Sequence, residues 1–470
     1  MFAAGVLAGL YTLALLQEHN QLGSYDLGYF RQAAWLIAHG APAFVTIRGL
    51  YLLGDHASPI FYPIGWMSRP FPPIPFLLFV QSAALALGVV PLWGICRRLA
   101  GLTPVVTTCI AIAYALYPAV QNLNLDNFHP EVIAIPLLMA SVLFALTKRW
   151  LWYWVCIAVV LLCKEDMTIV VASLGLFLVL ERERRVGLLT LAVGVVMFVV
   201  DTRVIQAHFA GGFIQTAFLS QYGGSITSIA KTMVLHPSRV GHDFFTSLNA
   251  RLAIALLSPL LFLPLLAPRY LLPALPLEFF YLVSTRHDAH TIYGHYTAAI
   301  LPFLFIALAM GVGTVARWSP GRIDGTRLVV VVSLVLVVAG YFGNARWSVG
   351  GVPKHPWAWR HEDAADRARS AAARLIPAGA SVSGTVRVWQ LVADRRDLYN
   401  FPGPFVAYES LRDPVPLAVR EANVAYLFID TSDGAQWQPP MAVELARIVQ
   451  DRHYRLIFDR DGIELFEHSA

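Results

Sequence analysis

The residues of this chain that can do chemistry fall in a few short clusters, each at the end of a long apolar run. The first reads Ser24-Tyr25-Asp26-Leu27-Gly28-Tyr29-Phe30, the next Gly54-Asp55-His56-Ala57-Ser58-Pro59. Then come Leu125-Asp126-Asn127-Phe128-His129-Pro130-Glu131 and Lys164-Glu165-Asp166. The last is Arg286-His287-Asp288-Ala289-His290, followed by Tyr293-Gly294-His295-Tyr296. A carboxylate can take a proton from an acceptor hydroxyl or hold a metal. Imidazole transfers protons near neutrality, contacts phosphate or binds metal. Lysine and arginine pair with phosphate.

Each cluster also has a plainer reading. Asp26 is either a chemical carboxylate or a cap on the free N–H groups of an interfacial helix around Phe30–Leu36. Asp55 and His56 are adjacent and so serve two different contacts, or they form a turn before Pro59. Asp126, His129 and Glu131 surround Pro130, which suits a helix start as well as an acid–imidazole site. Lys164, Glu165 and Asp166 are either a solvated hairpin tip with an internal Lys–Glu pair or a phosphate contact. Arg286, His287, His290 and His295 suit phosphate, proton transfer or metal. The loop 203–251, with Gly211-Gly212 and Gly223-Gly224, is either a lid or a flexible connection.

Other chemistries have no support. The sequence contains no H-E-x-x-H, C-x-x-C, G-x-x-x-x-G-K-[ST] or G-x-S-x-G pattern. Cys96, Cys109, Cys156 and Cys163 lie in or beside apolar runs and read as small buried hydrophobes, with no disulfide framework.

The elements that must hold these clusters are membrane helices. Of 470 residues, 57% are hydrophobic and 14% charged, with a mean hydropathy of +0.58. Soluble domains carry about 25% charge, so the composition excludes an ordinary cytosolic enzyme and a disordered chain. A bilayer needs about 20 apolar residues per helix, which gives about eleven candidate spans. They lie near 2–16, 74–95, 103–120, 131–147, 150–163, 168–180, 186–202, 252–267, 270–284, 296–316 and 327–343. The net charge of +5 sets topology and does not indicate nucleic acid. Arg97-Arg98, Lys148-Arg149, Arg182, Arg184-Arg185, Arg269 and Arg317, Arg322 and Arg327 share one face, which the positive-inside rule makes cytoplasmic. The N-terminus is then inside. The reactive clusters, the long first loop 17–73 and the loop 203–251 are outside. Several ionisable groups at one depth imply one polar cavity.

Beyond residue 344 the chain changes character. Charge concentrates at 360–363, 395–397, 451–452 and 459–461. Ala380–Val388 and Val424–Ile429 read as strands, Tyr454–Phe458 and Gly462–Phe466 as a hairpin, and Ala364–Leu375 and Met441–Val449 as helices. The expectation is an all-α polytopic membrane module, 1–343, followed by a small α/β extracytoplasmic domain, 344–470.

The set Tyr25-Asp26-Leu27-Gly28, Gly54-Asp55-His56-x-Ser58-Pro59, Phe128-His129-Pro130-Glu131, Lys164-Glu165-Asp166 and Tyr293-Gly294-His295-Tyr296 resembles a family of bacterial polytopic membrane proteins of unknown function. That family is itself similar to the GT-C glycosyltransferases. The resemblance implies an integral membrane enzyme of a bacterial plasma membrane. Such an enzyme transfers a sugar from a polyprenyl-phosphate donor to a glycan or lipid acceptor of the cell envelope. It implies that Asp26 is the catalytic base. Asp55, His56, Asp126, His129, Glu131, Lys164, Glu165, Asp166, Arg286, His287, His290 and His295 are then candidates for donor and substrate binding. Many relatives carry a paired acid in the first loop. Here Leu27 follows Asp26, so a divalent cation such as magnesium or manganese is left open. The alternatives are an envelope-lipid transporter or flippase and a non-catalytic scaffold. A transporter would place charge at mid-membrane and show a repeat, and neither is visible.

Overall fold

A computed structural model describes residues 1–20, 25–317, 325–356, 361–406, 408, 410–432, 434 and 437–469. Ser24, Arg322 and Arg360 lie outside the described residues. The chain is mostly helical up to Trp347 and ends in a small mixed sheet.

Among the described residues three helices are long and apolar enough to cross a membrane: Pro73–Leu99, Arg184–Ala210 and Arg327–Trp347. A fourth span is made if Pro104–Leu116 and Pro118–Leu125, bent by 41°, count as one. The bend falls at Tyr117-Pro118, where proline disfavours helical backbone in the preceding residue. Shorter apolar helices run over Phe2–Leu16, Pro130–Leu146, Trp150–Val160, Met167–Leu180, Ser247–Leu260 and Leu301–Arg317. The expected runs at 252–267 and 270–284 are not continuous. Short 3-10 turns at Ser258–Leu260, Leu263–Leu266 and Pro268–Leu271 precede a helix of only Leu275–Leu282. Pro259, Pro264, Pro268, Pro273 and Pro276 explain the breaks, since each removes a backbone donor. The stretch expected as a loop at 203–251 is largely helical, with Ile226–Leu235 and Pro237–Phe244 as its longer pieces. All four cysteines are buried and free.

Helices Met167–Leu180 and Arg184–Val200 pack closely because three glycines line their contact. A Cβ on Gly175, Gly187 or Gly194 would come within 2.7 Å of the opposite backbone. The apolar core is continuous from Val6 to Leu336 and includes the fully buried Tyr114, Tyr117 and Phe305. Tyr117 places its hydroxyl on the Leu256 carbonyl at 2.6 Å, which satisfies the one polar atom of its ring.

Two strands, β1 (Phe44–Val45) and β2 (Leu50–Tyr51), form a small hairpin after the helix Tyr25–Ala38. The C-terminal sheet contains β3 (Val382–Gly384), β4 (Leu398–Asn400), β5 (Tyr426–Asp430), β6 (Tyr454–Arg460) and β7 (Ile463–His468), in the order β4-β3-β5-β7-β6. The strands β4, β3 and β5 are parallel, while β5-β7 and β7-β6 are antiparallel. The expected β6–β7 hairpin and the expected helices, here Ala364–Ala373 and Pro439–Asp451, are present. The first expected strand is shorter, because Val386–Val388 turns into a 3-10 segment.

This domain packs on the helix Tyr25–Ala38. Trp389 is fully buried and lies against Gly28, where a Cβ would stand 3.1 Å from its ring. Tyr25 meets the same indole edge-on at 5.2 Å. Arg31 grips Asp394 through two parallel bonds of 2.9 and 2.8 Å. Buried Gln32 donates to Thr46 at 2.8 Å, and the Thr46 hydroxyl donates to the Leu398 carbonyl at 2.7 Å. The helix carrying Asp26 is therefore fixed from the side by the C-terminal domain.

Candidate functional site

Asp26 stands in the first turn of the helix Tyr25–Ala38. That helix presents Asp26, Tyr29 and Phe30 to a recess also lined by Asp55, His56, Ser58, His129, Pro130, Glu131, Lys164 and His295. Each of the five sequence clusters thus contributes to the recess, from Asp26 to His295.

The segment 126–131 owes its course to Asn127, whose φ of 62° turns the chain so that Asp126 and His129 face the same space. Asparagine tolerates this left-handed geometry better than most residues. Buried Gln81 holds the turn: its amide oxygen accepts from His129 N–H at 2.7 Å, and its amide nitrogen donates to the Leu123 and Asn127 carbonyls. Asn122 and Asn124, both buried, tie the preceding helix to Ile292, Trp347, Val349 and Leu10.

His129 and His295 stack with centroids 3.9 Å apart at 23°. Asp126 lies 3.3 Å from His295 Nδ1 and 3.6 Å from His129 Nε2. Asp26 lies 3.9 Å from His129 Nε2. The His295–Asp126 contact is a long hydrogen bond, whereas His129 Nε2 is buried without a hydrogen-bond partner. Burial, with His295 adding to it, holds His129 below the usual imidazole value. Burial and then Lys164 hold His295 down at about 3. Both rings are therefore neutral. Burial pushes the Asp126 carboxyl up to about 6. It also raises Asp26, although the Asp26 side chain is 41% exposed.

Lys164 is no hairpin tip. It is 5% exposed and donates to Glu131 at 2.9 Å, with Asp166 at 3.4 Å. Burial opposes its charge, but Asp166 and Glu131 outweigh burial and keep it protonated. The lysine's partner is thus Glu131, thirty-three residues away, and not its neighbour Glu165. Asp166 accepts a second bond from Tyr281 at 2.6 Å. Glu165 instead holds His56, at 3.0 Å from Nδ1, and accepts from Ala57 N–H at 3.0 Å. Burial alone would lower the His56 pKa, but Glu165 outweighs it and lifts the imidazole to about 9.

Three expected residues lie elsewhere. Arg286 is exposed, 3.3 Å from Asp288 and stacked over Phe218. His287 is exposed beside it. His290 bridges Asn249 at 2.6 Å and the Ser284 carbonyl at 3.0 Å, a structural latch. None of the three lines the recess. The sequence reading did not single out Gln206 and Gln215, which both donate to the Asp55 carbonyl, or Arg48, 3.7 Å from Asp55. Tyr29 and Ser58 stood inside the quoted motifs, and their hydroxyls are buried with no hydrogen-bond partner.

The recess thus contains Asp26, with raised proton affinity, beside Asp55, two neutral imidazoles, a cationic imidazole and a lysine bound to two carboxylates. Such a set can accept a proton at Asp26 and contact an anion through His56 and Lys164.

Two kinds of similarity bear on this arrangement. In fold, the chain is similar to ArnT from Cupriavidus metallidurans bound to undecaprenyl phosphate, with TM-score 0.59, 12% identity, and coverage of 100% of this chain and 97% of that one. It is also similar to the oligosaccharyltransferase AglB from Archaeoglobus fulgidus in complex with an inhibitory peptide and a dolichol-phosphate. There the TM-score is 0.50 at 11% identity, over 100% of this chain and 74% of that one. The chain therefore shares the overall fold of these two proteins. No curated protein matches the sequence. A family model matches residues 18–465, and the chain belongs to that family, the predicted membrane proteins of DUF2079.

Proposed function

We propose that this protein is a membrane glycosyltransferase that takes a sugar from a polyprenyl-phosphate donor and passes it to an envelope acceptor. The observation that carries the reading is the convergence of Asp26, His56 and Lys164 on one recess. The shared fold with two proteins crystallised with polyprenyl phosphates supports it. Asp26 removes the proton of the acceptor hydroxyl, and its raised pKa makes it a stronger base than an ordinary carboxylate. The acceptor oxygen then displaces the phosphate at the anomeric carbon with inversion. His56, which Glu165 keeps protonated, and Lys164 face the leaving phosphate and stabilise its developing charge. Apolar grooves between helices hold the prenyl chain.

In this reading about eleven segments cross or enter a bacterial plasma membrane. The N-terminus is cytoplasmic, and the recess and the domain 344–470 are on the outer face.

The test is transfer of radiolabelled sugar from a panel of polyprenyl-phosphate sugars by the full chain in nanodiscs, with Asp26→Asn alongside. The expected result is transfer by the wild type and a loss of about 100- to 10,000-fold in the variant. Transfer by both would move the base elsewhere, with Asp55 next in line. No transfer from any donor by folded protein would remove the reading in favour of lipid transport or a scaffold.

A further inference from the structure

We propose that Asp26, His129 and His295 hold a divalent transition-metal ion of the zinc type in the recess. One donor atom from each residue lies within 4.8 Å of the other two, and the stacked His129 and His295 rings turn toward the ion as it binds. The independent observation is the state of His129. Its ring is 4% exposed, yet Nε2 has no hydrogen-bond partner, and the nearest oxygens, from Asp126 and Asp26, stand at 3.6 and 3.9 Å. A buried ring nitrogen without a partner costs free energy unless something absent from a protein-only structure completes it. An ion between His129 and Asp26 would satisfy it.

The donor set selects the ion. Two imidazoles and one carboxylate suit zinc and its first-row neighbours, whereas magnesium takes oxygen ligands and keeps its waters. Asp126 supplies the expected support, since its carboxylate lies 3.3 Å from His295 Nδ1 and can orient that ring. The carboxylate of Asp26 can bind such an ion through one oxygen. The other then remains free to face an acceptor.

Charge balance gives the ion a purpose. Asp26, Asp55 and Glu131 line the recess, while Lys164 is shared between Glu131 and Asp166, and His56 is paired with Glu165. A phosphate approaching this surface meets carboxylates beside its two paired cations. A dication adds two positive charges where they are lacking. This purpose rests on the glycosyltransferase reading; the site itself rests on donor geometry alone.

The experiment uses the full chain in nanodiscs, stripped with a chelator and titrated with zinc. Bound metal is read by elemental analysis and the affinity by calorimetry. The expected result is one zinc per chain. Binding should be at least about tenfold weaker in His129→Gln and His295→Gln, and about 10- to 100-fold weaker in Asp126→Asn. The exposed His287→Gln binds as the wild type does. Should the histidine variants fail to fold, cobalt in the wild-type chain provides the reading. An absorption spectrum of nitrogen-ligated cobalt, displaced by zinc, supports the site, and the spectrum of the aquo ion overturns it. Zinc at no more than the empty-nanodisc background overturns it, and so does equal binding by a folded His129→Gln/His295→Gln double variant. Zinc binding without sugar transfer keeps this inference and removes the proposed function. Transfer in chelator, with no metal bound by the chain, does the reverse.

Discussion

Replacing Lys164 with methionine should be the most damaging single change to the recess that leaves its shape intact. The ammonium is buried between Glu131 at 2.9 Å and Asp166 at 3.4 Å. The side chains of Lys164 and Glu131 are 7% and 3% exposed, so water cannot screen or replace either partner. Methionine keeps most of the volume but removes the charge. Glu131 is left as a buried carboxylate without a counterion, and Asp166 retains only Tyr281. Breaking a buried pair from one side costs about 3–5 kcal/mol. At about 1.4 kcal/mol per power of ten, that is two to three and a half powers of ten in the unfolding equilibrium. Glu131 follows directly on His129-Pro130, so the loss also loosens the segment that sets His129. The assay is reversible unfolding in mixed micelles of the wild type, Lys164→Met, Glu131→Gln and the double variant. The double variant should be less destabilised than the sum of the singles by more than about 1 kcal/mol, because removing both charges removes the uncompensated one. A Lys164→Met cost below about 1 kcal/mol, or strict additivity, would refute the buried pair.

The His56–Glu165 pair makes stability depend on pH. The folded pKa of His56, about 9, lies above its ordinary 6.5, so its contribution is complete below about 6.5 and disappears as pH rises through about 9. The melting temperature of wild type minus that of His56→Gln should therefore be largest near pH 6 and vanish above pH 9. A gap that widens with pH would contradict the pairing. Trp389→Ala, which empties a fully buried indole site beside Gly28, should cost about 3–5 kcal/mol and speed proteolysis of the C-terminal domain. Unchanged proteolysis would show that the domain is held by other contacts. Arg31→Ala removes a two-bond grip whose Asp394 side is 37% exposed, so its cost should be only about 1 kcal/mol. A larger loss would mean that this pair, and not Trp389, anchors the domain.

The sequence carried much of the site because membrane chains make polar residues conspicuous. Asp26, Asp55, His56, His129, Glu131, Lys164 and His295 each stand out against apolar surroundings, and all line one recess. The partners within that recess were not legible. Lys164 has Glu165 and Asp166 beside it, yet its closest carboxylate is Glu131, because the chain turns at 160–167 and sends consecutive side chains to different neighbours. Arg286, His287 and His290 share the composition of the site but sit on the exposed or latching side of a short 3-10 turn. Proximity in sequence to His295 does not reveal this. The support given by Gln81, Asn122 and Asn124 was hidden for a related reason. Amides inside apolar helices carry no charge to mark them, and their role shows only once the carbonyls they meet are in place. The helix boundaries between 252 and 284 followed hydropathy alone, whereas the prolines there decide where helix can exist.

In the proposed function the recess under Asp26 receives the phosphate of a polyprenyl-linked sugar. The most direct measurement is an electron cryo-microscopy map of the full chain in nanodiscs with undecaprenyl phosphate. The expected map shows the phosphate in the recess, within hydrogen-bond reach of His56, with the lipid chain running between helices. A phosphate seated instead at the exposed Arg286–His287 turn, with the recess empty of lipid, would contradict it.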